Sequence, residues 1–89
     1  MANHRSAIKR HRQSLVRRER NRAIKTRVKN AVKQLRIAID GNDMEQADVL
    51  LKDAASVLDK AATKNVIHWR AAARRISRLN QAVNKLRQA

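Results

Sequence analysis

The chain has 89 residues, with 22 Lys and Arg against seven Asp and Glu, for a formal net charge of +15 at pH 7. Such an excess calls for an anionic counterpart: nucleic acid, an anionic membrane or an acidic protein. The absence of cysteine excludes disulfides, thiol catalysis and thiolate metal sites, and no apolar run approaches the roughly 20 residues of a membrane span.

Trp69 is the one aromatic residue, so the core is expected to be Leu, Ile, Val and Ala. It will be thin, because a chain this short buries only about 60% of its unfolded surface. There is no proline, and the single glycine is Gly41, so long helices are the default.

The first predicted helix runs from about Ser6 to Ile39. At ~1.5 Å per residue it is roughly 50 Å long, against roughly 30–35 Å for each of the next two. Residues 1–39 carry thirteen basic groups and one acid, Glu19. Ile24, Val28, Ala31, Leu35 and Ala38 recur at steps of four and three, the spacing of a stripe that must be buried. Residues 1–22 form an arm continuous with this helix and projecting past its partners. The arm holds Arg5, Lys9, Arg10, Arg12, Arg17, Arg18, Arg20 and Arg22, and its large apolar residues are only Ile8, Leu15 and Val16. Like charges four apart destabilise an isolated helix, so the arm is expected to fray alone and to become helical on an anionic surface. Within the bundle, Arg22, Lys25, Lys29, Lys33 and Arg36 form a basic ridge beside the apolar stripe.

Gly41 is expected to end this helix in the left-handed conformation, with Asn42 or Asp43 capping the next. The second helix is acidic: residues 40–63 carry Asp40, Asp43, Glu45, Asp48, Asp53 and Asp59 against Lys52 and Lys60. Its stripe is Ala47, Leu51, Ala54, Leu58 and Ala61, widened by Leu50 and Val57. Asn65, which tolerates the left-handed region, is the candidate for the second turn. Residues 64–89 carry seven basic groups and no acid. Trp69, Ala72, Ile76, Leu79, Val83 and Leu86 make the third stripe, and Trp69 is expected to anchor the core. Three stripes joined by short connections predict an all-α antiparallel three-helix bundle forming a single domain over 1–89, with the long N-terminal helix projecting beyond it.

The continuous basic edge of the first helix matches a row of phosphates, each of which releases a counterion when neutralised. Arg70, Arg74, Arg75 and Arg78 add guanidinium groups on the third helix. They either bind phosphate, which arginine does with two parallel N–H groups, or pair with the acids of the second helix. Trp69 has base stacking as its alternative to the core. His4 and His11 have no carboxylate or thiol to complete a metal site, and His68 suits a phosphate or ribose hydroxyl contact. No constellation for catalysis is present, nor any cofactor motif. Three competing readings carry their own requirements. A mitochondrial transit peptide over 1–22 is also Arg-rich and acid-poor. A basic-region zipper needs a seam over several heptads, which Gly41-Asn42-Asp43 interrupts. A membrane-active helix needs a bulky apolar face.

The opening Met1-Ala2-Asn3-His4-Arg5-Ser6-Ala7-Ile8-Lys9-Arg10, with Arg17, Arg18 and Asn21, resembles the family of protein number twenty of the bacterial small ribosomal subunit. Ile39-Asp40-Gly41-Asn42-Asp43 is similar to that family's first turn. Asp59-Lys60-Ala61-Ala62-Thr63-Lys64-Asn65-Val66-Ile67-His68 is similar to its second, followed by Ala72, Arg74, Ser77, Arg78 and Leu79. The resemblance covers essentially the whole chain. It implies a cytoplasmic, ribosome-bound structural protein, not an enzyme. It also implies that the chain binds 16S ribosomal RNA directly, supports subunit assembly and is monomeric off the ribosome, with no membrane or small-molecule partner. The resulting RNA-binding candidates are Asn3, His4, Arg5, Ser6, Lys9, Arg10, Arg12, Arg17, Arg18, Asn21, Arg22, Lys25, Lys29, Lys33, Lys64, His68, Arg74, Arg75 and Arg78. The family often has Gly at the place of Asn65 and Lys-Asn-Lys at Trp69-Arg70-Ala71, so those positions inherit no contact role.

Overall fold

The structure is a computed structural model that describes the backbone of residues 2–88 and the side chains of residues 5–88. The described chain forms α1 (Ala2–Asp40), α2 (Met44–Thr63) and α3 (Trp69–Gln88). No strand occurs among the described residues. α1 begins four residues before Ser6, since nothing between Ala2 and Arg5 breaks a helix. At ~1.5 Å per residue it is nearly 60 Å long, twice the length of its partners, and the molecule spans 67 × 21 × 14 Å.

The turns are built differently from expectation at one residue. Asn42, not Gly41, takes the left-handed conformation, with φ 55°. α1 persists through Asp40, and Gly41 still donates its N–H to Ile37 at 3.0 Å in helical fashion. Asn42 N–H then bonds Ile39 O and Asp43 N–H bonds Ala38 O, each at 3.0 Å. This nested pair is the Schellman closure, and it puts the left-handed residue one place beyond the glycine. Asp43 has a second duty: its Oδ1 accepts the Gln46 N–H at 3.2 Å and caps α2. Glu45 lies in the first turn, where negative charge suits the helix N-terminus. The second turn repeats the closure. Asn65, with φ 59°, bonds Ala62 O and Val66 bonds Ala61 O, as Asn65 was expected to allow.

The core is aliphatic and lies around α2. Val28, Val32, Leu35 and Ala38 of α1, Ala47, Ala54, Leu58 and Ala61 of α2, and Ala72, Leu79 and Val83 of α3 are buried. Ala47, Ala54 and Ala61 recur every seven residues and are fully enclosed, and their small side chains let both neighbouring helices approach. Leu35, Leu58 and Val83 are the largest fully buried side chains, each contributing about 1.5–3 kcal/mol by burial. α1 and α3 each pack along α2 and scarcely touch one another, so the bundle is open on one side.

Trp69 departs from expectation. It is 63% exposed. As the first residue of α3 it stands level with the last turn of α2, at the rim of a shallow hollow bounded by Asp59, Ala62, Thr63 and Ala72. No further turn of α2 exists there to cover an indole.

The turn geometry predicts an ordering of variants in urea denaturation. A Cβ on Gly41 would meet Ile37 O at 3.4 Å, ordinary contact, so Gly41→Ala should hold or raise stability by up to about 1 kcal/mol. Asn42→Val should cost roughly 1–2 kcal/mol, because a branched residue is forced left-handed, while Asn42→Gly should not. The reverse order would return the left-handed role to Gly41.

Candidate nucleic-acid interface

Every Lys and Arg from Arg5 onward is exposed. Among the described residues one ion pair forms, Arg87 Nη2 to Asp48 Oδ1 at 2.7 Å, and it is solvent-exposed on both sides. Such a pair contributes at most about 1 kcal/mol. The alternative in which the α3 arginines pair with the acids of α2 therefore fails for Arg70, Arg74, Arg75 and Arg78. The basic groups are presented outward with their N–H donors unspent.

Three cationic surfaces result. The first is the arm, where every side chain from Arg5 to Arg20 is exposed. Arg5, Ser6, Lys9, Arg10, Arg12, Arg17 and Arg18 all lie here, distributed around the helix rather than on one side. The expectation for Asn3 and His4 falls outside the residues whose side chains are described. Asn21 marks the base of the arm. It is half-buried, in a groove with Ser14, Arg17, Arg18, Arg22, Lys25 and Lys29. Its Oδ1 is buried and accepts no hydrogen bond.

The second surface is the ridge on α1. Lys25, Lys29, Lys33 and Arg36 border a cleft floored by Val28, Val32 and Ile67, and Arg75 of α3 reaches the same cleft. Because α1 and α3 do not close on each other, the cleft is open to a polyanion from outside. The fold thus brings Arg75 to Lys25, Lys29 and Lys33, from which it is distant in sequence. Arg36, at the far end of the ridge, belongs with them.

The third surface is the start of α3. Lys64 and His68 are exposed in the connection, followed by Arg70, Arg74 and Arg78 at successive steps of four. His68 Nδ1 accepts the Arg70 N–H at 3.1 Å and so serves as the N-terminal cap of α3. With Nδ1 engaged as an acceptor, Nε2 is the ring nitrogen left to meet a phosphate or hydroxyl. Trp69 stacks on His68, with centroids 5.7 Å apart and planes at 27°, and the Arg70 guanidinium carbon lies 5.2 Å from the indole centroid. Residue pattern alone did not join these three residues, because Trp69 sits in register with a buried stripe; only its place level with the last turn of α2, where no further turn covers it, distinguishes it.

The competing readings meet the same geometry. The apolar stripe of α1 is buried against its own α2, so no seam is free for a zipper. On the arm Ile8, Leu15 and Val16 are exposed but separated by charges, and no helix among the described residues is long and apolar enough to cross a membrane. No group of three potential metal ligands occurs among the described residues.

Since the ridge lysines lack partners, they repel one another at steps of four. Replacing Lys25, Lys29 and Lys33 together by Gln should leave the melting temperature unchanged or raise it at low salt, by a few tenths of a kcal/mol per relieved pair. A marked fall in melting temperature would mean that these side chains hold the fold.

Comparison with known proteins gives a concordant result. The family model described as ribosomal protein S20 matches residues 2–84. The small ribosomal subunit protein bS20 of Maridesulfovibrio salexigens is 64% identical over 86 residues, covering 97% of this chain and 99% of that one. Its counterpart in Solidesulfovibrio magneticus is 61% identical over 89 residues, all of both chains. That of Syntrophobacter fumaroxidans is 51% identical over 86 residues, 97% of this chain and 100% of the other.

Proposed function

The chain belongs to the ribosomal protein S20 family, and from that membership we propose that it is a structural constituent of the small ribosomal subunit that binds 16S ribosomal RNA directly and supports subunit assembly. It works on the ribosome as an architectural element, not as an enzyme, and is a monomer before it joins the subunit. The observation that carries the binding mode is the unspent charge: of the basic side chains described, only Arg87 meets a carboxylate.

Each surface has a distinct part. The arm, residues 1–22, enters between RNA strands. A helix charged on several sides suits a crevice with phosphates on more than one wall. Asn3, His4, Arg5, Ser6, Lys9, Arg10, Arg12, Arg17, Arg18, Asn21 and Arg22 contribute its contacts. The ridge of Lys25, Lys29 and Lys33 tracks one strand, with Arg75 on the opposite wall of the cleft. Lys64, His68, Arg74 and Arg78 hold a further stretch of backbone. Folded RNA is read largely by its backbone shape and 2′-hydroxyls, which this set of cations and short polar groups matches.

Binding of the full chain to 16S ribosomal RNA should weaken steeply with salt. If 6–10 phosphates are neutralised, affinity should fall on the order of a thousandfold between 50 and 200 mM, and less for irregular RNA than for a duplex. The triple variant with Lys25, Lys29 and Lys33 replaced by Gln should bind more weakly and with a shallower salt dependence. Filter binding across a salt series measures both; a flat response would refute the phosphate grip.

A further inference from the structure

We propose that His68, Trp69 and Arg70 form a single base-stacking site, in which Trp69 receives one unpaired RNA base and Arg70 holds the phosphate beside it. The inference rests on the RNA reading above and assigns a contact to Trp69 and Arg70, which the family resemblance leaves without one.

An exposed tryptophan needs an explanation in a chain that has no other aromatic residue. Trp69 adds nothing to the core, since 63% of it faces water while Leu79 and Val83 of the same helix are buried. Leaving an indole in water forgoes the large gain from burying it. Its immediate surroundings are those of a nucleotide site. His68 is held by its bond to the Arg70 N–H and presents its ring to Trp69, so the indole is braced from one side. Arg70 lies over the indole without a carboxylate partner. An exposed cation–π contact is weak, and the guanidinium can leave it for a phosphate, to which it bonds with two N–H groups.

The charges orient the ligand. The hollow on one side of Trp69 includes Asp59, which repels a phosphate. The backbone of the nucleotide is therefore directed to the side of Arg70 and Arg74, and the base toward the indole. Residues 64–89 contain seven basic groups and no acid, so the surface selects a polyanion over an acidic-and-apolar protein helix that would require a longer apolar face. The site offers one stack, not the succession of aromatics by which single-strand binders hold several bases.

The chain reports on its own site, because Trp69 is its only tryptophan and it has no tyrosine. The full-length protein is titrated with transcribed 16S ribosomal RNA, following tryptophan emission and its accessibility to acrylamide, and binding is measured separately by filter retention. The proposal predicts quenched emission and lost acrylamide access at saturation. Trp69→Ala and Trp69→Leu should lose roughly five- to a hundred-and-fifty-fold in affinity, the range that follows from removing one base–aromatic stack. Trp69→Phe should recover most of that loss, and circular dichroism should show all three variants folded. Retained affinity for RNA with unchanged emission and accessibility would overturn the stacking site alone. Full affinity in Trp69→Leu would do the same, as would shielding that arises only when subunit proteins are added. Failure of the unaltered protein to bind the RNA would overturn the RNA reading itself, and this site with it.

Discussion

Two cationic helices share one core in this molecule because an acidic helix lies between them. Residues 1–39 and 64–89 both carry a large positive excess, whereas residues 40–63 carry six acids and two lysines. Packed helices lie ~8–10 Å apart, about one Debye length at physiological salt, so the sign of the neighbouring charge matters at that distance. α1 and α3 accordingly meet α2 and scarcely each other. The attraction is diffuse and owes little to paired side chains, for among the described residues only Asp48 and Arg87 join. Ala47, Ala54 and Ala61 supply the complementary requirement: they let both cationic helices come close enough for the aliphatic stripes to interlock.

From that arrangement follows the division between what folds and what binds. The apolar stripes face α2, so the charges of α1 and α3 are left outward and toward the open cleft. The aliphatic packing ends at Ile24 and partial burial at Asn21, and no tertiary contact shelters the side chains from Arg5 to Arg20. The arm is helical, held by its own backbone bonds and by residues of good helix propensity, against the repulsion of its cations. On the proposed reading, RNA phosphates supply what the protein withholds from itself, a row of negative charge, so that its stability and its binding are two views of one charge distribution.

Much of this was legible in the order of residues. The stripes of α1 and α2 announced themselves at steps of three and four, the three charge blocks marked the helices, and Asp43 and Asn65 stood where a cap and a left-handed turn were needed. Three features resisted. The turn after α1 misled because glycine is the usual left-handed residue, yet Asn42 takes that role once the helix continues through Asp40. Trp69 misled because periodicity assigns a face to a residue but says nothing of whether a partner helix extends that far. The cleft was invisible, since a pattern of three amphipathic helices does not reveal that two of them will leave a gap with Arg75 across from the lysine ridge. Resemblance to a ribosomal family narrowed the polyanion to ribosomal RNA, which charge alone does not.

The basic arm is a helix without tertiary support, so on the proposed RNA reading it opens easily in the free protein and is stabilised by RNA phosphates. Amide hydrogen exchange tests it residue by residue, on the free full-length chain and on its complex with 16S ribosomal RNA. The account predicts fast exchange from Arg5 to Arg20 in the free protein and slow exchange at Leu35, Ala54 and Leu58. On RNA the arm should become strongly protected while the core changes little. Arm amides as protected as the core in the free protein, or unchanged by RNA, would contradict it.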